Sequence, residues 1–463
     1  MAAHDSRPSI HVEVLVIGGG IMGLWLTWRY SWLGYHVLCL RLRDEERPCA
    51  ETLRNQGWLQ SGGRYFRSLS ISVNSIKSRL TQKDLSPSER DQLKAKLKKD
   101  EELRASAVDM HYSAQEIRQE FGISLADDSG LRGVMRLREN ETWTEDLLNG
   151  HVDGKLSIAE LGAESLDSDQ AKQRLGQLFD PEGTYLSTSE RAFEEDVLLE
   201  VLRTRALSTK RARIRVLRDP AVLEWGDADH LNAVCNCEEG QVLADRVFLA
   251  AGAGTPCLLA DLGLQIALKV QRTPLLVGRV PDALGSLVLE ERFRSYSLVS
   301  HHTPNGLVGV VGVGAQNSDE PMDEELSDAQ LARSEIYGAS SRRVSKEVGD
   351  RARSRVRDVF LTTPRITAGY EPALENEADW SHYLHVPSGT NVVVVLPGRA
   401  TFAPKAAALC EGYDLNGSWP TPPLALKNPS QSFTWNWLPG SDWIETPRMH
   451  HHSNYDHMDE VED

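Results

Sequence analysis

The amino-acid sequence predicts an α/β protein organised around a Rossmann-like nucleotide-binding domain. Residues 14–17 form an apolar run that is typical of a buried parallel strand. A glycine-rich turn at 18–23 and a helical segment ending near Gly34 follow this run, and a second apolar strand begins at Tyr35. This order of elements is the context in which a G-x-G-x-x-G motif binds a dinucleotide.

Each glycine of the motif has a distinct predicted role. Gly18 permits the tight turn, Gly20 lets the backbone approach a pyrophosphate, and Gly23 lets the helix pack on the strand. The helix that follows offers free N–H groups and the positive end of its dipole to the phosphates. The motif therefore predicts that a dinucleotide binds, without identifying it.

Arg41, at the end of the second strand, departs from the usual pattern. An acidic residue that hydrogen-bonds the ribose is expected about 20 residues after the glycines. An arginine there favours a ribose 2′-phosphate, as in NADP. In the alternative interpretation Arg41 is a surface residue beyond the strand, and Asp44 or Glu45 reaches back to the ribose.

Composition limits the function further. The chain has 463 residues and a formal net charge of −16, so we expect two or more structural lobes and no nucleic-acid-binding surface. It shows no apolar run of the about 20 residues that a membrane span needs and no apolar secretory segment before the first strand. Six cysteines without a C-x-x-C pair predict no metal site and a reducing, cytoplasmic location.

The rest of the sequence predicts an interrupted domain. Residues 47–65 form a loop rich in glycine and amide side chains, which we expect beside the nucleotide. Residues 213–240 predict a β-meander, and 244–254 a buried strand ending in small residues. Alternating strands of a separate sheet are predicted at 266–315. The charged segments 90–107 and 110–121 predict a pair of solvated helices.

Four separated segments resemble the D-amino-acid-oxidase-like family of FAD-dependent oxidoreductases. They are VLVIGGGIMGL, TLRNQGWLQSGGRY, ADRVFLAAGAGTPCLLADLGL and VVVVLPGRATFAPKAAALCEG, in matching order over roughly residues 12 to 412. The resemblance implies a discontinuous FAD-binding domain (10–68, 180–265 and 365–415). It also implies a mainly antiparallel α+β substrate or cap domain (69–179, with the charged insert, and 266–364). Residues 416–463 are expected to form an extended or disordered tail.

The resemblance also assigns cofactor contacts by position. The pyrophosphate would be bound by Gly18, Gly20, Ile21, Met22 and Gly23, and the adenine by the backbone of Val222. The loop running past the phosphates to the flavin would contribute Thr52, Arg54, Asn55, Gln56 and Gly57. Ala251 and Gly252 would approach the ribityl chain, and Gly398, Arg399, Thr401, Phe402 and Ala403 the pyrimidine edge of the flavin. Arg41 stands where the family usually has Glu.

Gln60 bears on the reaction. It occupies the position where relatives that oxidise hydroxyacids or glycerol phosphate tend to carry His. Without that base the oxidation of an alcohol is harder to explain, whereas an amine can lose hydride directly to the flavin. We therefore expect oxidation of a C–N bond of an amino acid or other amine.

The candidates to orient this small-molecule substrate are Arg272, Tyr296, His301 and Arg399, since arginine pairs bidentately with carboxylates. Three alternatives stay open: a 2-hydroxyacid or alcohol dehydrogenase of the same family, a non-catalytic component of a larger assembly, and an NADPH-binding protein. A protein partner or a homo-oligomer is also left open.

Overall fold

Two large β-sheets, two short strand pairs and several helices make up the part of the chain that the structure describes. The computed structural model describes residues 9–42, 58–60, 73–121, 133–136, 151–152, 156–157, 164–176, 179–188, 191–192, 195–226, 232–238, 240–264, 266, 268–279, 287–290, 296–303, 306–313, 340–341, 357–370, 383–387, 389–396 and 400–415.

The strands are numbered in chain order. They are β1 (Ser9–Ile17), β2 (Val37–Leu42), β3 (Trp58–Leu59), β4 (Gly133–Arg136), β5 (His151–Val152), β6 (Leu156–Ser157), β7 (Glu164–Leu166), β8 (Tyr185–Thr188), β9 (Arg191–Ala192), β10 (Ala212–Leu217), β11 (Val222–Trp225), β12 (Ala233–Cys237), β13 (Gly240–Leu249), β14 (Leu268–Arg279), β15 (Leu287–Glu290), β16 (Tyr296–Thr303), β17 (Gly306–Val313), β18 (Ser340–Ser341), β19 (Arg357–Tyr370), β20 (Tyr383–His385) and β21 (Val392–Leu396).

The α-helices and two short 3₁₀ helices are numbered in the same way. They are α1 (Ile21–Trp32), α2 (Pro87–Phe121), α3 (Ser168–Leu175), α4 (Glu195–Ser208), η1 (Gly252–Gly254), α5 (Thr255–Asp261), η2 (Ala400–Phe402) and α6 (Ala403–Leu415).

The first sheet carries the glycine-rich turn at the carboxyl end of a central strand. Its strand order is β10-β2-β1-β13-β12-β11, with β21 paired to β13 and β20 to β21. Strands β10, β2, β1, β13 and β21 are parallel. Ile17 lies opposite Leu40 of β2 and Leu249 of β13, so these three strands end at one edge. In doubly wound sheets, ligands bind at this edge.

Apolar side chains cover both faces of the first sheet. On one face, residues of α1, α4, α6 and the last third of α2 pack into a core that includes Trp25, Tyr30 and Phe248, each at most 1% exposed. On the other face, β11, β12 and α5 cover a second core around Leu15 and Leu40. Because both faces are buried, β1 is a nearly continuous apolar run, and its carboxyl end is held rigidly.

The predicted β-meander is wrong in one strand. β10 pairs in parallel with β2, with Ile214 opposite Cys39, whereas the antiparallel meander consists of β11, β12 and β13. Alternating apolar residues indicate where a strand lies but not which strand it pairs with. Helix α4 directly precedes β10 and packs against α1, and this helical crossover is what makes β10 parallel.

The second sheet is mainly antiparallel, as predicted. Its order is β18-β14-β17-β16-β15-β4-β8-β7, and β19 pairs with β14. Among the described strands of this second sheet, only the β14–β18 and β15–β4 pairs are parallel. The predicted fold class is therefore confirmed, and the exact domain boundaries stay predictions.

The charged insert forms one helix, so the predicted pair of solvated helices is wrong. Helix α2 has 35 residues, and its last third packs against η2 and α6. Met110 and Ile117 are fully buried there. The many lysines and glutamates in the first part of the helix are typical of a solvated helix, so the sequence did not predict the apolar face near its end. In the part of the chain that the structure describes, no helix is both long and apolar enough to cross a membrane.

Candidate functional site

The glycine-rich turn is closed by contacts that leave no room for side chains. Gly18 has a φ of +127°, and a Cβ there would lie 2.2 Å from the carbonyl oxygen of Ala250. A Cβ on Gly23 would lie 1.8 Å from the Gly18 carbonyl oxygen. The Gly18 N–H donates to the Leu40 carbonyl at 2.9 Å. The structural roles predicted for Gly18 and Gly23 thus follow from the geometry.

Helix α1 begins directly after this turn with an N-terminus suited to an anion. Gly20 is the N-cap residue and supplies no side-chain cap, and the first turn carries no acidic residue. Ile21 and Met22 are buried, so the first-turn side chains anchor the helix rather than cap it. The N–H groups of the first turn point away from the helix, and together with the positive end of the helix dipole they favour a phosphate at this position.

Arg41 lies against the same turn. It is the second-last residue of β2, opposite Val216 of β10. A Cβ on Gly19 would lie 2.5 Å from Arg41 Cβ and 2.9 Å from its Cδ. The aliphatic part of Arg41 therefore packs over Gly19, so the arginine belongs to the turn and is not a surface residue beyond the strand. Asp44 and Glu45 lie outside the described residues.

Small residues follow β13 at the same edge of the sheet. The Ala250 N–H donates to the Ile17 carbonyl at 2.9 Å, which fixes the end of β13 beside the end of β1. Ala251 comes next, followed by Gly252, the first residue of η1, which has a φ of +52°. Thr255 is fully buried, and its Oγ1 has no hydrogen-bond partner among the described residues.

A second polar position lies at the start of α6. The Gln60 N–H donates to Thr401 Oγ1 at 3.2 Å, although the two residues are 341 positions apart. Gln60 is 5% exposed, Thr401 1%, and Phe402 and Ala403 are fully buried. Gln60 Oε1 has no hydrogen-bond partner in the described part of the chain. The structure thus joins a predicted catalytic residue to a predicted cofactor contact.

Strand pairing brings the second sheet close to Gln60. Strand β3, which ends just before Gln60, pairs with β9, and β9 contacts β16 of the second sheet. Strand β19 contacts η1. The second sheet thus reaches both the segment beside Gln60 and the segment after β13.

The substrate-orienting candidates occupy different positions in the second sheet. Arg272 of β14 is opposite Ile366, Tyr296 of β16 is opposite Val313, and His301 is opposite Val308. Tyr296 and His301 are five residues apart on one strand, so strand alternation puts these positions on opposite faces. The pairing of Leu275 with Gly312 and of Gly312 with Ser297 puts positions 272 and 296 on the same face.

Several predicted contacts lie outside the described residues. They are Thr52, Arg54, Asn55, Gln56, Gly57, Gly398 and Arg399. Val222 is described: it opens β11, opposite Asn236, and is 44% exposed. Four residues separate Val222 from Leu217, the end of β10. The contact of Val222 with adenine stays a prediction.

The cysteine pair of β12 is structural. Cys235 is fully buried, and burial, together with the nearby Cys237 thiol, raises the pKa of its thiol. Burial also raises the pKa of Cys237, with the nearby Arg215 acting in the opposite direction. Neither thiol is therefore activated as a nucleophile or ligand at neutral pH. The described residues contain no group of three or more metal-ligating side chains.

Three features of this site escaped sequence reasoning: the packing of Arg41 on Gly19, the hydrogen bond between Gln60 and Thr401, and the buried hydroxyl of Thr255. The first had a usable signal, because β1 and β2 flank the turn and an arginine ends β2. The other two depend on contacts between distant segments, which no local pattern encodes.

Comparisons with known proteins agree with this architecture. Residues 13–396 match the family model DAO, FAD dependent oxidoreductase. The solved structure of NikD, an unusual amino acid oxidase essential for nikkomycin biosynthesis, is similar with a TM-score of 0.55 and 17% identity, over 87% of this chain and 93% of that chain. Iminodiacetate oxidase from Chelativorans sp. BNC1 is similar with a TM-score of 0.52 and 18% identity, over 89% of this chain and 97% of that chain.

Glycine oxidase from Geobacillus kaustophilus gives a TM-score of 0.51 at 15% identity, over 87% of this chain and 94% of that chain. At these identities the structural similarity establishes the fold. No curated protein matches the chain.

Proposed function

The chain belongs to the DAO family of FAD dependent oxidoreductases, and on that premise we propose that it binds FAD and oxidises a C–N bond of an amino acid or another amine. The family match extends over residues 13–396 and therefore includes both the glycine-rich turn and the second sheet. The substrate is a small molecule.

The residues at the carboxyl edge of the first sheet fit a cofactor with a diphosphate. Gly18, Gly20, Ile21, Met22 and Gly23 would hold it on the uncapped start of α1. The aliphatic part of Arg41 packs on Gly19, and the positive charge of Arg41 would favour the diphosphate. Arg41 stands where the family usually has Glu, so the site lacks a carboxylate that would accept hydrogen bonds from the ribose hydroxyls.

The flavin end would be held by residues after β13 and by the start of α6. Ala251 and Gly252 would lie beside the ribityl chain, and Thr401, Phe402 and Ala403 beside the pyrimidine edge. The N-terminal end of α6 favours negative charge there. When bound, FAD supplies an acceptor for the hydride that leaves the substrate carbon.

The observation that favours C–N oxidation is the buried position of Gln60 next to Thr401. An amide cannot accept a proton at neutral pH, so Gln60 cannot deprotonate a hydroxyl group as a histidine could. An amine in its neutral form needs no such base. As hydride leaves the carbon, the nitrogen lone pair forms the C=N bond of an iminium ion. Water then hydrolyses this ion to a carbonyl compound and an ammonium ion, or to a protonated amine where the substrate is a secondary amine.

Similar structures support this choice of substrate. Their names include an amino acid oxidase, an iminodiacetate oxidase, a glycine oxidase and an L-proline dehydrogenase, and these names describe substrates in which nitrogen is bonded to carbon. For the substrate carboxylate we propose Arg272, Tyr296, His301 and Arg399 as candidate partners. Arg272 and Tyr296 are the favoured pair, since their positions share a sheet face.

Two measurements test the proposal. The absorption spectrum of the purified protein and the mass of the nucleotide released on denaturation identify the cofactor, with FAD expected. Anaerobic mixing with amines and with 2-hydroxyacids then shows which class bleaches the flavin, and no electron acceptor needs to be known. We expect amines to do so, with a rate that rises with pH as the amine becomes neutral.

Other outcomes would contradict the proposal. Bleaching by hydroxyacids alone would favour the dehydrogenase alternative, and release of NADP would favour the NADPH-binding alternative. Bound FAD that no substrate reduces, together with an obligate protein partner, would indicate a non-catalytic component.

We further propose a reducing compartment such as the cytoplasm. In the described part of the chain, none of Cys39, Cys235, Cys237, Cys257 and Cys410 forms a disulfide, which is consistent with this location. Whether the protein acts alone, as a homo-oligomer or with a partner would be decided by its mass in solution.

A further inference from the structure

The side-chain amide of Gln60 is buried, and its oxygen lacks a hydrogen bond among the described residues. The residue is 5% exposed, and its Oε1 has no hydrogen-bond partner in the part of the chain that the structure describes. A buried carbonyl without a donor costs free energy, so native proteins leave few of them. Such a group calls for an explanation in terms of a ligand.

Asn391 shows how the same protein treats an amide that serves only the fold. It is 1% exposed. Its Oδ1 accepts from the Ala233 N–H at 2.7 Å, and its Nδ2 donates to the Ala244 carbonyl at 2.8 Å. Asn391 thus connects strands β12 and β13 to the start of β21. The contrast indicates that Gln60 is not placed for a contact within the fold.

The position of Gln60 narrows the choice of ligand. The Gln60 backbone N–H donates to Thr401 Oγ1, and Thr401 lies in the 3₁₀ helix η2 that leads into α6. Gln60 also directly follows β3, whose partner strand β9 contacts β16 of the second sheet. The amide therefore lies where the proposed flavin end and the proposed substrate sheet approach each other. A carbonyl oxygen there can only accept a hydrogen bond, so the missing group must be a donor.

We propose that Gln60 Oε1 accepts a hydrogen bond from a ligand N–H, namely that of the substrate amine. This deepens the proposed function and rests on it. The site then takes primary and secondary amines, which keep an N–H when neutral, and disfavours tertiary amines and ether analogues. Because Gln60 binds the N–H, the lone pair of the nitrogen stays available to form the C=N bond. A ring N–H of the flavin is the other group that could donate this hydrogen bond to Gln60 Oε1.

Matched pairs of ligands test this role on the FAD-loaded protein. In each pair an ether oxygen replaces the amine N–H. The pairs are sarcosine with methoxyacetate, and L-proline with tetrahydrofuran-2-carboxylate. Binding is followed by the change in the flavin absorption spectrum, and the flavin midpoint potential is measured in parallel. The variants are Gln60→Met, which removes the amide at similar length, and Gln60→Glu, which keeps acceptor oxygens.

We expect Gln60→Met to lower the preference for the amine of each pair by about tenfold, which corresponds to about 1.4 kcal/mol, and Gln60→Glu to retain it. A preserved preference with a shifted midpoint potential would assign the N–H to the flavin ring and overturn the substrate assignment. No change in either quantity would overturn the inference altogether. If amines fail to reduce the flavin but the midpoint potential depends on Gln60, the proposed function fails while the acceptor role stands.

Thermal stability supplies the control. Because Gln60 Oε1 has no hydrogen-bond partner among the residues that the structure describes, Gln60→Met should leave the Tm unchanged or raise it. Asn391→Leu should lower the Tm, since it leaves the Ala233 N–H and the Ala244 carbonyl without their partner, and it should not change the ligand preference. A loss of Tm in Gln60→Met as large as that in Asn391→Leu would show that the amide serves the fold, against the inference.

Discussion

Helix α1 begins on a turn in which backbone atoms touch backbone atoms, whereas just before α6 a side chain, that of Thr401, binds the backbone of a distant segment. At the first helix, Gly18 and Gly23 leave no space for a Cβ, and Ala250 closes the turn from the neighbouring strand. At the second, Thr401 accepts from the Gln60 N–H, and a buried amide stands beside it.

The difference matches what each helix start is proposed to hold. A diphosphate is the same in every dinucleotide, so a rigid backbone turn binds it whatever the substrate. The flavin ring and the substrate need chemistry specific to one reaction, and side chains supply it. We therefore expect the α1 turn to be intolerant of any added atom, and the α6 start to tolerate changes that alter function.

The largest effect is expected at Gly23. In Gly23→Ala the added Cβ would lie 1.8 Å from the Gly18 carbonyl oxygen, so helix and strand must separate, at about 3 kcal/mol or more of unfolding free energy. Chemical denaturation measures this. Gly412→Ala in α6 is the control: nothing lies within 4 Å of its Cβ, and we expect a gain of about 0.5–1 kcal/mol. Equal costs at both glycines would remove the contrast between the two helix starts.

An intermediate effect is expected at Thr401. Thr401→Val keeps the shape but removes the acceptor of the buried Gln60 N–H, at about 1–3 kcal/mol of unfolding free energy. Thr27→Val in α1 is the matched control. The Thr27 hydroxyl donates to the Gly23 carbonyl at 2.7 Å, and that carbonyl keeps its helical hydrogen bond, so we expect a smaller loss. A larger loss at Thr27 would show that side-chain bonds matter more at α1 than at α6.

The free energy of unfolding is expected to depend on pH through Cys235, which lies on the face of the first sheet away from both helix starts. Burial raises the pKa of Cys235 in the folded state above its unfolded value of about 8.5. Its contribution to stability is therefore complete below about pH 8.5 and is lost as pH rises above it, by up to about 1.4 kcal/mol per pH unit. Denaturation of wild type and Cys235→Ala from pH 7 to pH 10 should show a flatter curve for the variant. The absorption spectrum of bound FAD should be the same in wild type and Cys235→Ala. Parallel curves of unfolding free energy against pH would show that the Cys235 thiol does not ionise on unfolding.

The smallest effect is expected in the link between the two helices. Arg29 of α1 pairs with Glu411 of α6 through bonds of 2.7 and 2.9 Å, both partly buried. A double-mutant cycle with Arg29→Met and Glu411→Gln should give a coupling of about 0.5–1 kcal/mol. Cofactor affinity should change little if the two helix starts are independent. A tenfold loss of FAD affinity in either single variant would show that they act as one unit.

Local pattern was sufficient for the glycine-rich turn and the two strands that flank it. The spacing of Gly18, Gly20 and Gly23 between two apolar strands predicted the turn, because a φ near +127° and a missing Cβ are properties of single residues. The pattern at 266–315 predicted strands of a separate sheet, and the family resemblance implied that this sheet is mainly antiparallel. The pairing of β10 was not, because alternation does not encode the partner strand, and the buried end of α2 was hidden behind its charged start.

The sequence by itself therefore determined the family, the two strands around the glycine-rich turn and the place where a diphosphate would bind, because these depend on short runs of residues. Only the tertiary structure decided that Arg41 packs on Gly19 and that Gln60 meets Thr401 with its amide oxygen unsatisfied. Hydrogen bonds and burial between segments 341 positions apart arise from the whole packing of the chain, and no local propensity contains them.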